Sequence, residues 1–287
     1  MQTEPPPRLA PGLYFVATPI GNARDITLRA LDVLAAADVL AAEDTRRTRQ
    51  LLDMHGIGLR GRRFLAYHEH NAATQRPVLL TALREGQSVA CVSDAGTPLV
   101  SDPGFALLRA AIEQDSAVHA IPGPSAVLAA LSVAGLPTDR FLFAGFPPAA
   151  AGARQRWIDE IAQARATLVI FDSAKRVRRL LGELGESLGM ERQAALCREL
   201  TKHFEEVRRG TLAELAATCD RDPPRGEIVL LVDRGTLHAA TEADIRAALR
   251  AARATGSLRA AVDAVSADLG VPRRQVYQLA LDEETNR

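Results

Sequence analysis

The stretch Ser88-Val89-Ala90-Cys91-Val92-Ser93-Asp94-Ala95-Gly96-Thr97-Pro98 carries a strand-like, mostly apolar run straight into a turn built on glycine and proline. The same grammar occurs twice more. Leu13 to Ala17 leads into Thr18-Pro19-Ile20-Gly21-Asn22, and Ala117 to Ile121 leads into Pro122-Gly123-Pro124-Ser125. Glycine lets the backbone approach a ligand closely and take positive φ, while proline fixes φ and holds the loop still. In an open parallel α/β sheet such loops emerge together at the carboxyl edge of the strands, where ligands bind. Taken singly, each is equally well an ordinary strand-to-helix connection. Three together, with Asp94 and Ser125 at their edges, point to one pocket whose main-chain groups would contact an adenosyl or phosphate-bearing molecule.

Working outward, the segment Leu13 to Leu136 alternates β-type and helical runs and reads as βαβα, an α/β domain of five strands. The strands are Leu13–Ala17, Val39–Ala42, Phe64–Tyr67, Ser88–Val92 and Ala117–Ile121. Gly135 to Asp139 and Pro147 to Gly152 bracket Phe141 to Phe146 and read as the crossing into a second α/β domain. Its candidate strands are Phe141–Ala144, Thr167–Phe171, Ala194–Cys197, Glu205–Arg208 and Glu227–Val232, some adjacent without a helix between them, which predicts a mixed sheet. After Leu237, Leu258–Leu269, the turn Gly270-Val271-Pro272 and Arg273–Leu281 have the form of a helix-turn-helix. That extension either presents Arg273, Arg274 and Gln275 to nucleic acid or is a helical hairpin packing on the body or a second subunit. The expected division is a disordered tail 1–12, an α/β domain 13–136, a second α/β domain 137–236 and a helical extension 237–287.

At 287 residues the chain has length for about two domains. No apolar stretch approaches the roughly 20 residues that span a bilayer, and Met1 to Pro11 is polar and proline-rich, so a cytoplasmic protein with no membrane partner is expected. Cys91, Cys197 and Cys219 are odd in number and widely spaced, which indicates neither a disulfide framework nor a zinc site. Formal net charge is zero, which argues against a uniformly basic nucleic-acid surface. The arginines are nonetheless clustered: Arg46, Arg47, Arg49, Arg60, Arg62 and Arg63 stand against the single acid Asp53, and Lys175-Arg176 adjoins Arg178-Arg179. The planar arginine fork suits phosphate; solvated helix faces are the alternative reading.

Several chemistries are excluded by their missing signatures. No P-loop lysine follows a paired-glycine run, no three-glycine dinucleotide fingerprint follows a strand, and no serine stands in a nucleophile elbow. His68-Glu69-His70-Asn71 follows a strand but lacks a third metal ligand, so no metal is assigned and substrate contact or loop ordering is expected. Glu43-Asp44-Thr45-Arg46 lies at the end of the second strand; Asp44 there is either a site residue or a helix cap.

These turns, with Asp25-Ile26-Thr27-Leu28-Arg29-Ala30-Leu31, Ala42 to Arg46, Tyr67 to Asn71, Ser101-Asp102-Pro103-Gly104 and Pro122 to Ala126, resemble the motif series of the tetrapyrrole-methylase-like (class III) S-adenosylmethionine methyltransferases. Within that family they resemble most the branch acting on small-subunit ribosomal RNA. Gly135 to Phe141, Arg198 to Lys202 and Arg209 to Leu212 extend the resemblance into the second domain, and the tail resembles the branch's helix-turn-helix extension.

The resemblance implies a homodimer of two α/β domains holding S-adenosylmethionine in the cleft between them, and 2'-O-methylation of a cytidine ribose in 16S rRNA, within the small ribosomal subunit. By position, Pro19, Gly21, Ser93, Asp94, Ala95, Gly96, Thr97, Pro98, Pro122, Gly123, Pro124 and Ser125 would line the cofactor from the first domain. Phe171, Asp172, Arg198, Gly226, Glu227 and Ile228 would approach it from the second. Arg47, Arg49, His68, His70, Asn71, Lys175 and Arg176 are candidates for substrate contact. Asp44 or Glu199 would take the proton of the 2'-hydroxyl, with Arg46 or Lys202 as the stabilising cation. In one respect the chain departs from the pattern: where the family reads Glu-Ser-Pro-His-Arg, it reads Asp172-Ser173-Ala174-Lys175-Arg176. Two other functions fit parts of the sequence. A methylase of a small tetrapyrrole-like metabolite would use the same cleft, and a nucleic-acid-binding regulator built on the helix-turn-helix would leave the motif series unexplained.

Overall fold

The structure is a computed structural model and describes residues 8–99, 104–234, 242–253, 256–269 and 271–285. The first half folds as β1 (Gly12–Val16), α1 (Leu28–Ala36), β2 (Val39–Ala42), α2 (Thr45–Met54), β3 (Arg63–Ala66), α3 (Ala72–Arg84), β4 (Ser88–Val92), α4 (Phe105–Glu113), β5 (Val118–Ile121) and α5 (Ala126–Ala134). The strands form one parallel sheet in the order β3-β2-β4-β1-β5. Its central strands are apolar at consecutive positions because both faces are covered. Leu13, Phe15, Val89 and Cys91 enter the core on one face, while Tyr14, Val16, Ala90 and Val92 enter the core on the other. Cys91 is thus core, as its strand position predicts.

The second half continues with β6 (Phe141–Gly145), α6 (Ala151–Ile161), β7 (Thr167–Ser173), α7 (Val177–Leu188), β8 (Gln193–Arg198), β9 (Glu206–Thr211), α8 (Leu212–Arg221) and β10 (Glu227–Val232). The sheet order is β6-β7-β10-β8-β9, with β6 parallel to β7 and the other pairs antiparallel, the mixed sheet that strand adjacency predicts. One face is covered by α6, α7 and α8. The other receives Val127, Ala130, Leu131 and Ala134 of α5, which pack on Val169, Ala195, Cys197, Val229 and Leu231. That i, i+3, i+4, i+7 stripe is a helical face, and it belongs to the last helix of the first half. Arg209 of β9 closes the same helix, donating through Nε to the Ala134 carbonyl at 3.2 Å and through Nη2 to that of Val133. Gly135 ends it at φ 76° in the left-handed region, as helix C-termini favour.

The two sheets therefore belong to one compact unit that ends at Asp233, and a second unit begins at Arg234. The second unit contains α9 (Glu242–Arg253), α10 (Leu258–Leu269) and α11 (Arg273–Thr285) around Ile245, Leu249, Val262, Val265 and Val276. The helix α9 is an addition to the two expected from sequence, where only Ile245 and Leu249 mark its apolar face. Arg273 pairs with Asp263 at 2.6 Å. Gly270 and Ser101 to Pro103 lie outside the described residues, as do residues 1–7 of the expected tail; Leu9 packs against the first core. Among the described residues no helix is long and apolar enough to cross a membrane.

The segment Pro147 to Gly152, expected as an inter-domain connection, instead leads directly into α6. Arg154, 3 % exposed, explains its order. Its guanidinium makes a bidentate pair with Glu183 (2.6 and 2.7 Å) and donates to the carbonyls of Pro148 and Ala149. Removing one partner of such a pair leaves an uncompensated charge and unmade backbone bonds. Arg154→Ala is expected to lower stability by roughly 3 kcal/mol, measured by urea unfolding against the wild type, with the β-strand content retained.

Candidate active site

The carboxyl ends of β1, β2 and β4 lie side by side, and their loops are tied together. Thr18 and Gly96 exchange main-chain hydrogen bonds at 3.0 Å in both directions. Ser93 Oγ donates to the Gly96 carbonyl at 2.7 Å, and Thr97 Oγ1 to that of Pro124. Across from them stand the ends of β7, β8 and β10. Between the two edges runs a cleft of about 480 Å³. Ile20, Ala126, Phe171, Leu200, Ile228 and Val229 give it apolar walls, and Glu43, Asp94 and Asp172, with Arg47 and Arg176, give it charge. A smaller recess of about 150 Å³ adjoins it, sharing Arg47 and Asp94.

The carboxylates at this mouth differ in their partners. Asp44 caps α2, accepting from Arg46 N at 2.8 Å and from the Arg46 guanidinium at 3.0 and 3.2 Å, so that pairing with Arg46 holds it down at about 2. Asp94 accepts from Asp44 N at 2.8 Å and faces Arg47 at 3.3 Å. The Glu199 carboxylate accepts from Glu227 N at 2.9 Å and from Lys202 Nζ at 2.9 Å; the main-chain bond and then the lysine draw its pKa down. Lys202 also pairs with Glu227 at 2.7 Å. In contrast, burial, followed by the charge of Asp94, raises Glu43 above the ordinary carboxylate value. Burial likewise raises Asp172, against the opposing effect of Ser173 N–H and Arg176.

The structure brings together Asp94, Ala95, Gly96, Thr97, Ser125, Phe171, Asp172, Gly226, Glu227 and Ile228 on the cleft, with Arg47 and Arg176 from the substrate candidates. Pro19, Gly21 and Ser93 line the adjoining recess. Pro98, Pro122, Gly123 and Pro124 shape the loops without lining either; Gly123 lies so close to Ala17 that a Cβ there would meet it at 2.9 Å. Arg198 turns away, pairing with Glu206 at 3.2 Å and donating to the Arg225 carbonyl. Arg46 is 90 % exposed and joined to Asp44.

The remaining candidates are also accounted for. Glu199 and Lys202 brace Glu227, and Lys202 packs over Gly21. Arg49 lies over the Phe64 ring at 5.8 Å, and Lys175 is exposed outside the cleft. Asn71 orders its own loop, accepting from His68 N and donating to the Ala66 carbonyl, while His68 and His70 stand edge to face. No group of metal ligands forms among the described residues. Sequence reasoning passed over Glu43 in favour of its neighbour Asp44. The apolar walls Ile20, Phe146, Leu200 and Val229 were likewise missed; only Glu43's place directly after a buried strand could have signalled it.

The residues fit the adenosylmethionine that the motif series implies. The cleft is part apolar and part acidic, and among its lining residues Asp172 accepts from Arg176 Nε at Oδ1 while its Oδ2 is buried with no hydrogen-bond partner. A buried unpaired carboxylate oxygen is costly and calls for a donor. Gly96 takes φ 81° with Ile20 close above it, leaving the main chain there open to close approach.

Residues 12–216 match the family of Tetrapyrrole (Corrin/Porphyrin) Methylases, and residues 239–284 match the RsmI C-terminal HTH domain. The chain belongs to the tetrapyrrole methylase family. It is similar to proteins named ribosomal RNA small subunit methyltransferase I. The one from Mesorhizobium japonicum is 55 % identical, covering 85 % of this chain and 83 % of that protein. The one from Escherichia coli is 42 % identical, covering 95 % of each. Among solved structures, a cobalt precorrin-4 methyltransferase (TM-score 0.58, 18 % identity, 77 % of this chain and 94 % of that one) shares the fold. So does a diphthine synthase (TM-score 0.61, 17 % identity, 77 % and 88 %).

Gly226 tests the second edge of the cleft. It holds φ 83°, and a Cβ there would run into the Glu199 carboxylate. Gly226→Ala is expected to weaken S-adenosylmethionine binding at least about tenfold through this clash and the left-handed strain, read by isothermal titration.

Proposed function

We propose that the protein transfers a methyl group from S-adenosylmethionine to the 2'-oxygen of a cytidine ribose, at position 1402 of 16S rRNA in the small ribosomal subunit. The observation that carries this reading is the cleft, where apolar walls, the acids Glu43, Asp94 and Asp172 and the arginines Arg47 and Arg176 stand together. The relatives named for small-subunit rRNA supply the substrate class. We take the working form to be a cytoplasmic homodimer.

Ile20, Phe171 and Ile228 would hold the nucleoside part of the cofactor, and Asp172 with the main chain of Asp94 to Thr97 its polar groups. Bound there, S-adenosylmethionine supplies an electrophilic methyl on a sulfonium. The protein's share is to fix the ribose oxygen in line with that methyl and to receive the hydroxyl proton. Among the carboxylates, Asp44 is committed to Arg46 and the helix cap, and Glu199 to Lys202 and the Glu227 main chain. Glu43 lines the cleft; its carboxylate has the Asp94 main-chain N–H as its neighbouring donor and the charge of Arg47 nearby, with no side-chain ion pair among the described residues. We therefore assign proton acceptance to Glu43, the cation beside it to Arg47, and a bracing role to the Glu199–Lys202 pair.

The acceptor works deprotonated, and its pKa lies above the ordinary 4.5. Methyl transfer should therefore fall as pH drops through that raised value and level off above it. Glu43→Gln is expected to remove this acid limb and lower the single-turnover rate about 100- to 1,000-fold, while cofactor affinity stays unchanged. The function itself is tested by labelled methyl transfer to small subunits, followed by nuclease mapping. Label in a cytidine 2'-O-methyl is expected; label only in a tetrapyrrole precursor would move the substrate to that class.

A further inference from the structure

Among the residues lining the cleft, Phe146 is a large apolar side chain to which methyl transfer has so far given no task. It follows the edge strand β6 and is 56 % exposed. Several features hold it there. Ala144 is the extra residue of a bulge, because the pairing of β6 with β7 shifts between Phe143 and Gly145, and a bulge re-aims the side chains beside it. Gly145 then turns the chain at φ 69° in the left-handed region. Pro147 and Pro148 fix the backbone that follows, and the buried Arg154 bonds the carbonyls of Pro148 and Ala149. The Phe146 ring itself meets Phe171 edge to face at 5.5 Å, and Phe171 meets Phe143 in the same way at 4.8 Å.

Resting on the rRNA-methylase reading, we propose that Phe146 is a stacking platform for an unpaired nucleobase of the RNA strand entering the cleft. Proteins that recognise RNA take unstacked bases onto aromatic side chains. Such stacking tolerates any base, since each has a π-face, so Phe146 supplies grip on the strand and leaves base selection to other groups. An aromatic ring held rigidly in place gives up little side-chain entropy when a base covers it. The charge around it suits a polyanion: Arg47 and Arg176 line the same cleft, and Lys175 is exposed next to Arg176 in the chain. The cofactor is the other aromatic ligand at hand. Its nucleoside has walls in Ile20, Phe171 and Ile228, and of the two rings in contact Phe171 is the partly buried one, which leaves the exposed Phe146 to the RNA.

The test measures methyl transfer to small subunits and cofactor affinity by isothermal titration, for wild type, Phe146→Ala, Phe146→Leu and Phe146→Tyr. Phe146→Ala is expected to raise KM for the subunit about 5- to 100-fold, the worth of one stacked base, with kcat changing far less and cofactor affinity held to within about twofold. Phe146→Tyr keeps the π-face and should restore the wild-type KM. Phe146→Leu keeps apolar bulk without that face and should follow Phe146→Ala. The salt dependence of KM should be the same in all four proteins, because no phosphate contact is lost. An unchanged KM in Phe146→Ala, a wild-type KM in Phe146→Leu, or a cofactor affinity that falls in step with the rise in KM would each overturn the proposal. Wild-type enzyme that transfers methyl to no RNA is a separate failure, seen before any substitution: it removes the RNA reading and this one with it.

Discussion

The seating of α5 on the second sheet is the contact on which the site depends. Val127, Ala130, Leu131 and Ala134 are all buried there, against residues of β7, β8 and β10. Burying side chains of this kind stabilises by about 1.5–3 kcal/mol for each large one, so separating the sheets would cost several such terms together. The helix starts at Ser125, on the cleft, and is closed at its far end by Arg209 from β9. One element thus sets the distance between two rows of strand ends that lie far apart in sequence. Asp94 and Asp172 line the same cleft only because that distance is fixed.

Charge at the mouth is organised by what each acid already holds. Asp44, the most conspicuous acid in its motif, is neutralised locally by the arginine two residues on. Glu199 and Glu227 share Lys202, so three charged groups become a strut joining β10 to the loop after β8. Glu43, to which we assign proton acceptance, and Asp172, which is buried with Oδ1 on Arg176 and Oδ2 without a hydrogen-bond partner, both have raised pKa values. An exposed acid with a good partner is a structural device, whereas a buried one with few partners is able to respond to a ligand.

Much of the fold was legible because the first sheet is buried on both faces. Its central strands are short continuous apolar runs, and β1, β4 and β5 are each closed by a turn bearing glycine and proline. The cleft residues at Asp94 to Thr97 were legible for the same reason, since they continue a strand whose end the pattern marks; Gly226 to Ile228, at the start of β10, were reached through the family resemblance. Three kinds of feature were not. Glu43 and Asp44 are adjacent, and only the helix start at Thr45 assigns one to the cap and the other to the cleft. Arg198 points toward Glu206 because β8 and β9 pair antiparallel, a tertiary fact that no local motif carries. The helix α9 has too few large apolar residues to stand out from an alanine- and arginine-rich background.

Gly21 sits beneath the side chain of Lys202, with no room for even one carbon more, while the adjacent Asn22 N–H donates to Thr201 Oγ1 at 3.3 Å. Two positions 181 residues apart are therefore a single unit under mutation. A side chain gained at 21 is tolerated only if the one at 202 shrinks, and shrinking 202 first releases the acids it holds. The historical path by which such a pair could be exchanged passes through an intermediate worse than either end, which makes this contact a point of epistasis between the two halves of the enzyme.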